Sequence, residues 1–441
     1  MWTYHPDLLA VPVPRYTSFP TAAEFGGGVG EKEFSTALEG QNGDVSLYVH
    51  IPFCEKICWY CGCNTSVANR TDRVTSYLEA LHREIALVAE RLPKSARITR
   101  IAFGGGSPNG ISPIDFVRIV DALTLEFGIQ TEGERPVFSI EIDPRTLGAE
   151  WASVLGFVGI SRASLGVQTF EPALQEAIGR IQPARMIEEA TALLRSSGVR
   201  SLNFDLMYGL PGQTMDHLRA SLEQTVALGA DRIALFGYAH VPHLIARQRK
   251  IDASRLPGAE VRFQMAAFGH DYLVDQGYVA VGFDHFAKPG DSLAQAALCG
   301  RLRRNFQGFT EDQAPALIGL GASSISSFRE LLVQNEKNTG RYRMRLSQDR
   351  LAANRGIVRT ADDQRRGAVI EALLCRGRAK IDADLQREAL PLLCGYTTRG
   401  LCEMDGEDLV VKPAGLPYAR SIAARFDPYR KDSLRRFSSA V

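Results

Sequence analysis

The chain has 441 residues, 45% hydrophobic and 23% charged, with 51 Lys and Arg against 50 Asp and Glu. That length leaves room for two or three domains, and a formal net charge of +1 excludes the basic excess with which whole proteins attract nucleic acid or membrane surfaces. There is no run of eighteen apolar residues, and the opening MWTYHPDLLAVPVPRYTSFP lacks the regions of a secretory signal, so a cytoplasmic protein with no membrane span is expected.

Residues 1–42 read as an N-terminal arm. From 43 to 335 short apolar, β-branched runs alternate with longer amphipathic stretches. The runs predict strands at 45–50, 98–103, 137–142, 162–167, 201–207, 232–237 and 278–283. Between the first two, Val74, Leu78, Leu81, Ile85, Val88 and Leu92 recur every three or four residues, the spacing of a helix with one apolar face. Further helices are predicted at 113–126, 184–196, 214–228 and 259–276. This α/β alternation implies βαβ units, a parallel sheet and a full or partial (β/α) barrel. Ligands in such barrels sit at the C-terminal ends of the strands. The segment 291–332 reads as helix and loop covering the barrel mouth. From 336 to 441 the pattern changes to a smaller, mainly helical domain: a helix at 361–376, a hairpin at 401–412 turning at DGED, and a helix at 414–425. Helices plus a hairpin suggest a winged-helix-like module, read as a packing domain because the chain lacks basic excess.

Chemistry concentrates at the strand ends. Cys54, Cys58, Cys61 and Cys63 follow the first strand in HIPFCEKICWYCGCN, a C-x3-C-x2-C-x-C spacing. Thiolates suit an iron–sulfur cluster, and three ligands on a four-iron cube leave one iron open. A structural zinc site is the alternative, though its usual pair of C-x2-C knuckles is absent from the sequence. Cys299, Cys375, Cys394 and Cys402 are scattered. Gly104, Gly105 and Gly106 end the second strand, where glycines let backbone approach a ligand. The alternative for them is a plain tight turn. Glu141 and Asp143 stand two apart and share one face. Glu141 could accept hydrogen bonds from a diol, while Asp143, before Pro144, is at least as readily a turn former. Gln168, Arg180 and Asp205 are each ambiguous alone, His50 reads by default as a buried structural histidine, and Tyr48 and Tyr60 either flank the cysteines or fill the core.

Taken together, the cysteine motif and the glycine edge resemble the radical S-adenosylmethionine superfamily. Over nearly the full length the chain is similar to the oxygen-independent coproporphyrinogen III oxidases (coproporphyrinogen dehydrogenases), through PRYTSFPTA at 14–22, YVHIPFCEKICWYCGCN at 48–64, IEIDPRT at 140–146, SLGVQTF at 164–170, NFDLMYGLPGQT at 203–214 and GLGASSIS at 319–326. The resemblance implies that Cys54, Cys58 and Cys61 ligate a [4Fe–4S] cluster whose open iron chelates S-adenosylmethionine, with Cys63 outside the ligand set. It implies contacts from Tyr48, Gly105, Glu141, Ala239 and Ile325 to that first S-adenosylmethionine, and from Tyr60, Gly106, Ser107, Gln168, Arg180 and Asp205 to a second. His50 is a candidate catalytic residue beside the site. The implied activity is oxidative decarboxylation of two propionates of coproporphyrinogen III to vinyl groups in anaerobic haem biosynthesis, by a monomer served by an unidentified electron donor and acceptor. Arg15, Arg301, Arg303 and Arg304 are candidate carboxylate partners. Three positions depart from the family pattern: Ser107 and Asn109 stand where threonines are expected after the glycines, Ser107 keeping a hydroxyl and the backbone amide, and Thr169 stands where an aspartate follows the glutamine, removing a charge near the site.

Overall fold

Seven parallel strands carry the candidate site. The computed structural model describes residues 2–68, 71–130 and 135–432. Its central sheet has twelve strands: β1 (Gly43–Ile51), β2 (Ala96–Gly105), β3 (Val137–Ile142), β4 (Arg162–Gln168), β5 (Ser201–Tyr208), β6 (Arg232–Gly237), β7 (Val279–Val281), β8 (His285–Ala287), β9 (Ala316–Leu320), β10 (Ile325–Ser327), β11 (Leu331–Asn335) and β12 (Ala353–Val358). They lie in the order β12-β11-β10-β9-β1-β2-β3-β4-β5-β6-β8-β7. From β9 through β6 every neighbouring pair is parallel, and the two ends are antiparallel. The sheet is therefore an open, partial (β/α) barrel.

The crossover helices follow their apolar spacing. α1 (Thr71–Arg91) buries Tyr77, Leu78, Leu81, Ile85 and Val88 on one face. α2 (Pro113–Glu126) starts at Ser112, whose hydroxyl accepts from Asp115 N–H, and α3 (Met215–Ala227) at Thr214, whose hydroxyl accepts from His217 N–H. Such caps satisfy backbone donors that a helix start leaves open. At the N-terminal ends of the strands Glu311 is bound by Arg100 at 2.9 Å and also by Arg162. Burial raises its carboxyl, but Arg232, Arg162 and Arg100 overcome that and hold it down at about 2.

Three expectations are corrected. The run at 278–283 forms only Val279–Val281 and pairs antiparallel with β8, because β8 follows after a tight turn and a parallel partner needs a long crossover. The 291–332 segment does not simply cover the mouth; its second half supplies β9, which lies parallel against β1, and β10. The sheet also runs past the expected division at 335/336, since β12 completes it against β11.

Beyond β12, α4 (Ala361–Arg376), α5 (Ala383–Thr397) and a three-stranded sheet form the C-terminal module. The predicted helix at 414–425 is broken into a 3₁₀ stretch, a short α-helix and a second 3₁₀ turn, as Pro413 and Pro417 each remove a backbone donor. The N-terminal arm belongs to this module's core: Leu8, Leu9, Val13, Tyr16 and Phe19 pack with Leu373, Leu393 and Tyr418. Tyr16 donates to Asp427 at 2.9 Å. The arm also covers the outer sheet edge, where Gly26 and Gly356 exchange backbone hydrogen bonds of 2.9 Å.

Candidate active site

The glycine edge is a packing requirement before it is a binding surface. A Cβ on Gly104 would meet the Glu141 carboxylate at 2.7 Å; on Gly105, with φ +114°, the His50 ring at 2.5 Å; on Gly106, Phe53 O at 2.5 Å. Bare backbone at these positions lets β2 close over the end of β1 while Gly105 N–H donates to Glu141 at 3.2 Å. His50 Nε2 lies 3.1 Å from Asn64 O and Nδ1 lies 3.2 Å from Tyr48 Oη. A carbonyl only accepts, so Nε2 carries the hydrogen and Nδ1 takes the tyrosine hydroxyl. Burial pushes the His50 ring down to about 4, which keeps it neutral and makes it a staple between β1 and the end of the cysteine loop.

Each of three thiols has its own donor. Thr65 Oγ1 is 3.2 Å from Cys54 Sγ, Arg180 Nη1 and Arg145 Nη2 reach Cys58 Sγ at 3.2 and 3.4 Å, and Cys63 N–H reaches Cys61 Sγ at 3.4 Å. Asp143 binds both arginines, at 2.6 Å to Arg145 and 3.4 Å to Arg180. Burial raises the Asp143 carboxyl, but Arg180 and then Arg145 prevail and hold it low. Burial works against the Arg180 guanidinium too, and Tyr60, Asp143 and Cys58 more than restore it. Asp205 is raised by burial, against hydrogen bonds from Ser164 and Asn203.

Cys54, Cys58, Cys61 and Cys63 all line one cavity of about 190 Å³, with Tyr60, Gly106, Ser107, Gln168, Arg180 and Asp205 also on its wall. Among the described residues no three His, Cys, Asp or Glu side chains converge on a single ion. The thiols are spread around a cavity, three of them with a hydrogen-bond donor, and a polynuclear cluster that takes one thiolate per iron fits that donor set better than one tetrahedral ion does. A second cavity of about 960 Å³ adjoins, lined by Tyr48, Gly105, Glu141 and Ile325. A third, of about 360 Å³, runs inside the barrel from Glu311 to Glu141 and Asp205. Glu141 stands on the wall of all three. Burial, against the Gly105 hydrogen bond, raises its carboxyl to about 7.

Most predicted site residues therefore converge, in two groups that share Glu141. Ala239 lines none of these three cavities; it is tied to Tyr60 by Gln248, whose amide donates to Ala239 O and Tyr60 O at 3.0 Å each. Gln168 has φ +66° and sits where the β4–β5 register slips, a strained turn that swings its side chain into the cavity. Of the three departures, Asn109 and Thr169 face away from the cavities. Asn109 is buried, donating to Asp143 O and Thr146 Oγ1 at 2.8 Å and accepting from Asp143 N–H. The expectation that Thr169 alters charge at the site is corrected: its hydroxyl accepts from Glu171 N–H and meets Ser221, because the slip at Gln168 turns the next side chain toward α3. Asp143, Arg145 and Gln248 were not assigned from sequence. The i, i+2 pairing of an acid with an arginine in IDPRT was a usable signal for the first two; Gln248 had none. Of the other arginines, Arg303 is paired with Glu371 at 2.8 Å and Arg301 is exposed.

Comparison with known proteins bears on this arrangement directly. The Radical SAM superfamily matches residues 48–225. The oxygen-independent coproporphyrinogen III oxidase of Bradyrhizobium diazoefficiens is 37% identical over 440 residues, 97% of either chain. The chain belongs to this family. The oxygen-independent coproporphyrinogen III oxidase of Pseudomonas aeruginosa is 36% identical, over 97% of this chain and 96% of its own. A solved structure of Escherichia coli coproporphyrinogen III oxidase, described as a radical SAM enzyme, superposes with a TM-score of 0.90 at 34% identity, covering 97% of this chain and 99% of that one. As a radical SAM family, coproporphyrinogen III oxidases of this type use a [4Fe–4S] cluster and S-adenosylmethionine.

Proposed function

We propose that this protein is the oxidoreductase that decarboxylates two propionate side chains of coproporphyrinogen III to vinyl groups, yielding protoporphyrinogen IX in anaerobic haem biosynthesis. The observation that carries the reading is the set of cysteines, Cys54, Cys58, Cys61 and Cys63, on one cavity wall, beside a second cavity that shares Glu141, in a chain matched over 97% of its length by relatives of that name. Cys54, Cys58 and Cys61 would hold the cluster, and Cys63 would act through its backbone N–H. Tyr48, Gly105, Glu141, Ala239 and Ile325 would receive one S-adenosylmethionine. Tyr60, Gly106, Ser107, Gln168, Arg180 and Asp205 would receive a second on the cluster side.

Propionate C–H bonds are unactivated, and no side chain can break them at neutral pH; a bound, reduced cluster with S-adenosylmethionine supplies a radical that removes the hydrogen atom. The product then forms by loss of carbon dioxide and of one electron to an acceptor that remains to be identified, as does the donor. The chain's own residues do the rest. Glu141 offers carboxylate oxygens to a ribose diol. Arg145 and Arg180 place positive charge on the sulfur of Cys58, and such bonds tune a cluster's potential. His50 positions Tyr48 and Asn64 without moving a proton. The cavity walls would limit the water near a reactive radical. Among the described residues no helix is long and apolar enough to cross a membrane; a cytoplasmic location and a monomeric state are part of the proposal.

Anaerobic reconstitution followed by reaction with coproporphyrinogen III, reductant and S-adenosylmethionine tests the assignment. Protoporphyrinogen and 5′-deoxyadenosine are expected together. Alanine at Cys54, Cys58 or Cys61 should abolish both, whereas Cys63→Ala should retain its iron; loss of iron in Cys63→Ala would overturn the ligand set.

A further inference from the structure

Four arginines from separate parts of the chain meet at the C-terminal ends of β5 and β6, away from the thiols. Arg15 comes from the arm and donates to Gly237 O, the last residue of β6, at 3.3 Å. Arg262 comes from the helix after β6, bonds Tyr238 O at 2.7 Å, and packs on Gly209 just past β5. Arg304 comes from the hairpin Arg303–Asn305/Gly308–Thr310, and Arg420 from the C-terminal module. Their charges act together on Tyr208 and Asp284: Arg262, Arg420 and Arg15 on the first, Arg304 and Arg15 on the second.

Among the described residues, the positive charge of Arg15, Arg262 and Arg304 exceeds the negative charge that faces it. Asp284 is the acid at the centre, and its carboxylate is already 2.6 Å from His285 Nδ1. Among the described residues Arg15, Arg262 and Arg304 have no carboxylate within ion-pair distance of 4.0 Å. Arg304 spends its Nε on the carbonyls of Arg15 and Tyr16, at 3.1 and 3.2 Å. Its Nη1 is buried with no hydrogen-bond partner, as is Nε of Arg262. Burial lowers the Arg420 guanidinium to about 10, with Arg15 adding to the fall. Gathering cations at such a site is costly unless an anion completes it.

The guanidinium groups are held flat on an aromatic wall. Arg15 lies 5.0 Å over Phe236, Arg304 lies 4.3 Å over Phe309, and Arg420 lies 5.3 Å over Phe283. Cation–π seating holds these guanidiniums against the rings, and Arg15, the exposed one, uses only Nη2 on the chain, at Gly237 O, in a group whose fork suits bidentate carboxylate contacts. The wall also leads inward: Phe236, His285 and Phe309 line the 360 Å³ cavity whose far side carries Glu141 and Asp205.

We propose that Arg15, Arg262, Arg304 and Arg420 form the anchoring site for the carboxylates of a tetracarboxylate tetrapyrrole, with the aromatic wall of Phe236, Phe283 and Phe309 against its pyrrole rings. The proposal rests on the substrate class assigned above and adds to it the residues that bind that substrate. It also explains why the outlying segments fold back on the barrel. The arm and the C-terminal module each deliver one arginine to a site the barrel cannot complete by itself.

The test uses reconstituted holoenzyme with saturating S-adenosylmethionine. Arg15→Gln and Arg304→Gln should each raise KM for coproporphyrinogen III at least tenfold, with iron content and KM for S-adenosylmethionine unchanged. Binding of air-stable coproporphyrin III, read by fluorescence, should weaken in parallel. Arg15→Lys should recover part of the loss, and the tetramethyl ester should bind the unaltered protein at least tenfold more weakly than the tetra-acid. An unchanged KM and Kd in Arg15→Gln, a fall in kcat alone, or equal binding of ester and acid would overturn the proposal. Arg15 is exposed, so its variants decide the matter even where Arg304→Gln fails to fold. Protein that binds the tetra-acid through these arginines yet does not decarboxylate coproporphyrinogen III would sink the assigned activity and leave the anchoring site standing.

Discussion

Replacing Gly106 by alanine puts a methyl carbon 2.5 Å from Phe53 O, 2.7 Å from Phe53 N and 2.7 Å from Thr65 Oγ1. Ordinary contact begins near 3.4 Å, so the short segment that carries Cys54 must retreat by about 0.9 Å. It has little freedom to do so, because Gly106 N–H bonds Ile51 O at 2.9 Å and Ser107 N–H bonds Phe53 O at 2.7 Å. Overpacking of this kind costs about 1–3 kcal/mol. A misplacement of about 1 Å at a reacting centre costs on the order of 10²-fold in rate. The expectation for Gly106→Ala is a folded protein, a few degrees less stable, with iron loading reduced and turnover down by about two orders of magnitude. Gly290→Ala is the matched control, since a Cβ there has no neighbour within 4 Å and should leave stability within about 0.5 kcal/mol. Melting curves, iron analysis and anaerobic turnover on both variants decide it. Wild-type turnover in Gly106→Ala would refute the view that these glycines set the position of the cysteine loop.

Buried His50 and Glu84 should show opposite pH dependences. His50 is held down to about 4 by burial, so its share of stability is present above pH 6.5 and lost as pH falls toward 4. Glu84 is raised to about 7 by burial, although Gly321 N–H, Tyr342 Oη and Asn335 Nδ2 all donate to it at 2.6–2.7 Å. The folded state keeps that proton after the unfolded chain has lost it, so the Glu84 share of stability falls as pH rises from 4.5 to 7. Each share is about 3 kcal/mol. On acidification His50→Gln should gain relative to the unaltered protein and Glu84→Gln should lose, as read by melting temperature across pH 4.5–7.5; parallel curves would contradict both assignments. Arg145→Gln removes a donor to Cys58 Sγ and the 2.6 Å pair with Asp143; activity should drop about 10–100-fold with an altered cluster potential, and an unaltered potential would remove Arg145 from the site. Asn109→Ala orphans Asp143 N–H and takes a donor from the hydroxyl of Thr146, for a loss of about 1–3 kcal/mol that thermal unfolding measures.

The parallel strands from β1 to β6 were legible because each carries its own apolar run between helices of 3.6-residue period, and the site residues at their ends were legible with them. β9 to β11 were not. ALIGL at 316–320 is short and flanked by Pro315 and Gly321, and what makes it a strand is β1, far away in the sequence. The antiparallel turn of β7 escaped for the converse reason: its apolar run looks like the others, and only the closeness of β8 gives it the opposite sense. Gln248 joins Tyr60 to Ala239 by amide bonds across the fold, a relation with no local pattern.

β1 has β2 on one flank and β9 on the other, and Ala316 follows Ile51 by 265 positions. At ribosomal speeds of about 5–20 residues per second, roughly 13–50 s pass between the emergence of the two partners. Through that interval the strand leading to the cysteines has one bare side, and Ser323 and Ile325, part of the larger cavity's wall, do not yet exist. A nascent chain thus offers its thiols before it can shelter what they hold, and the shelter is complete only once residues 316–327 have emerged.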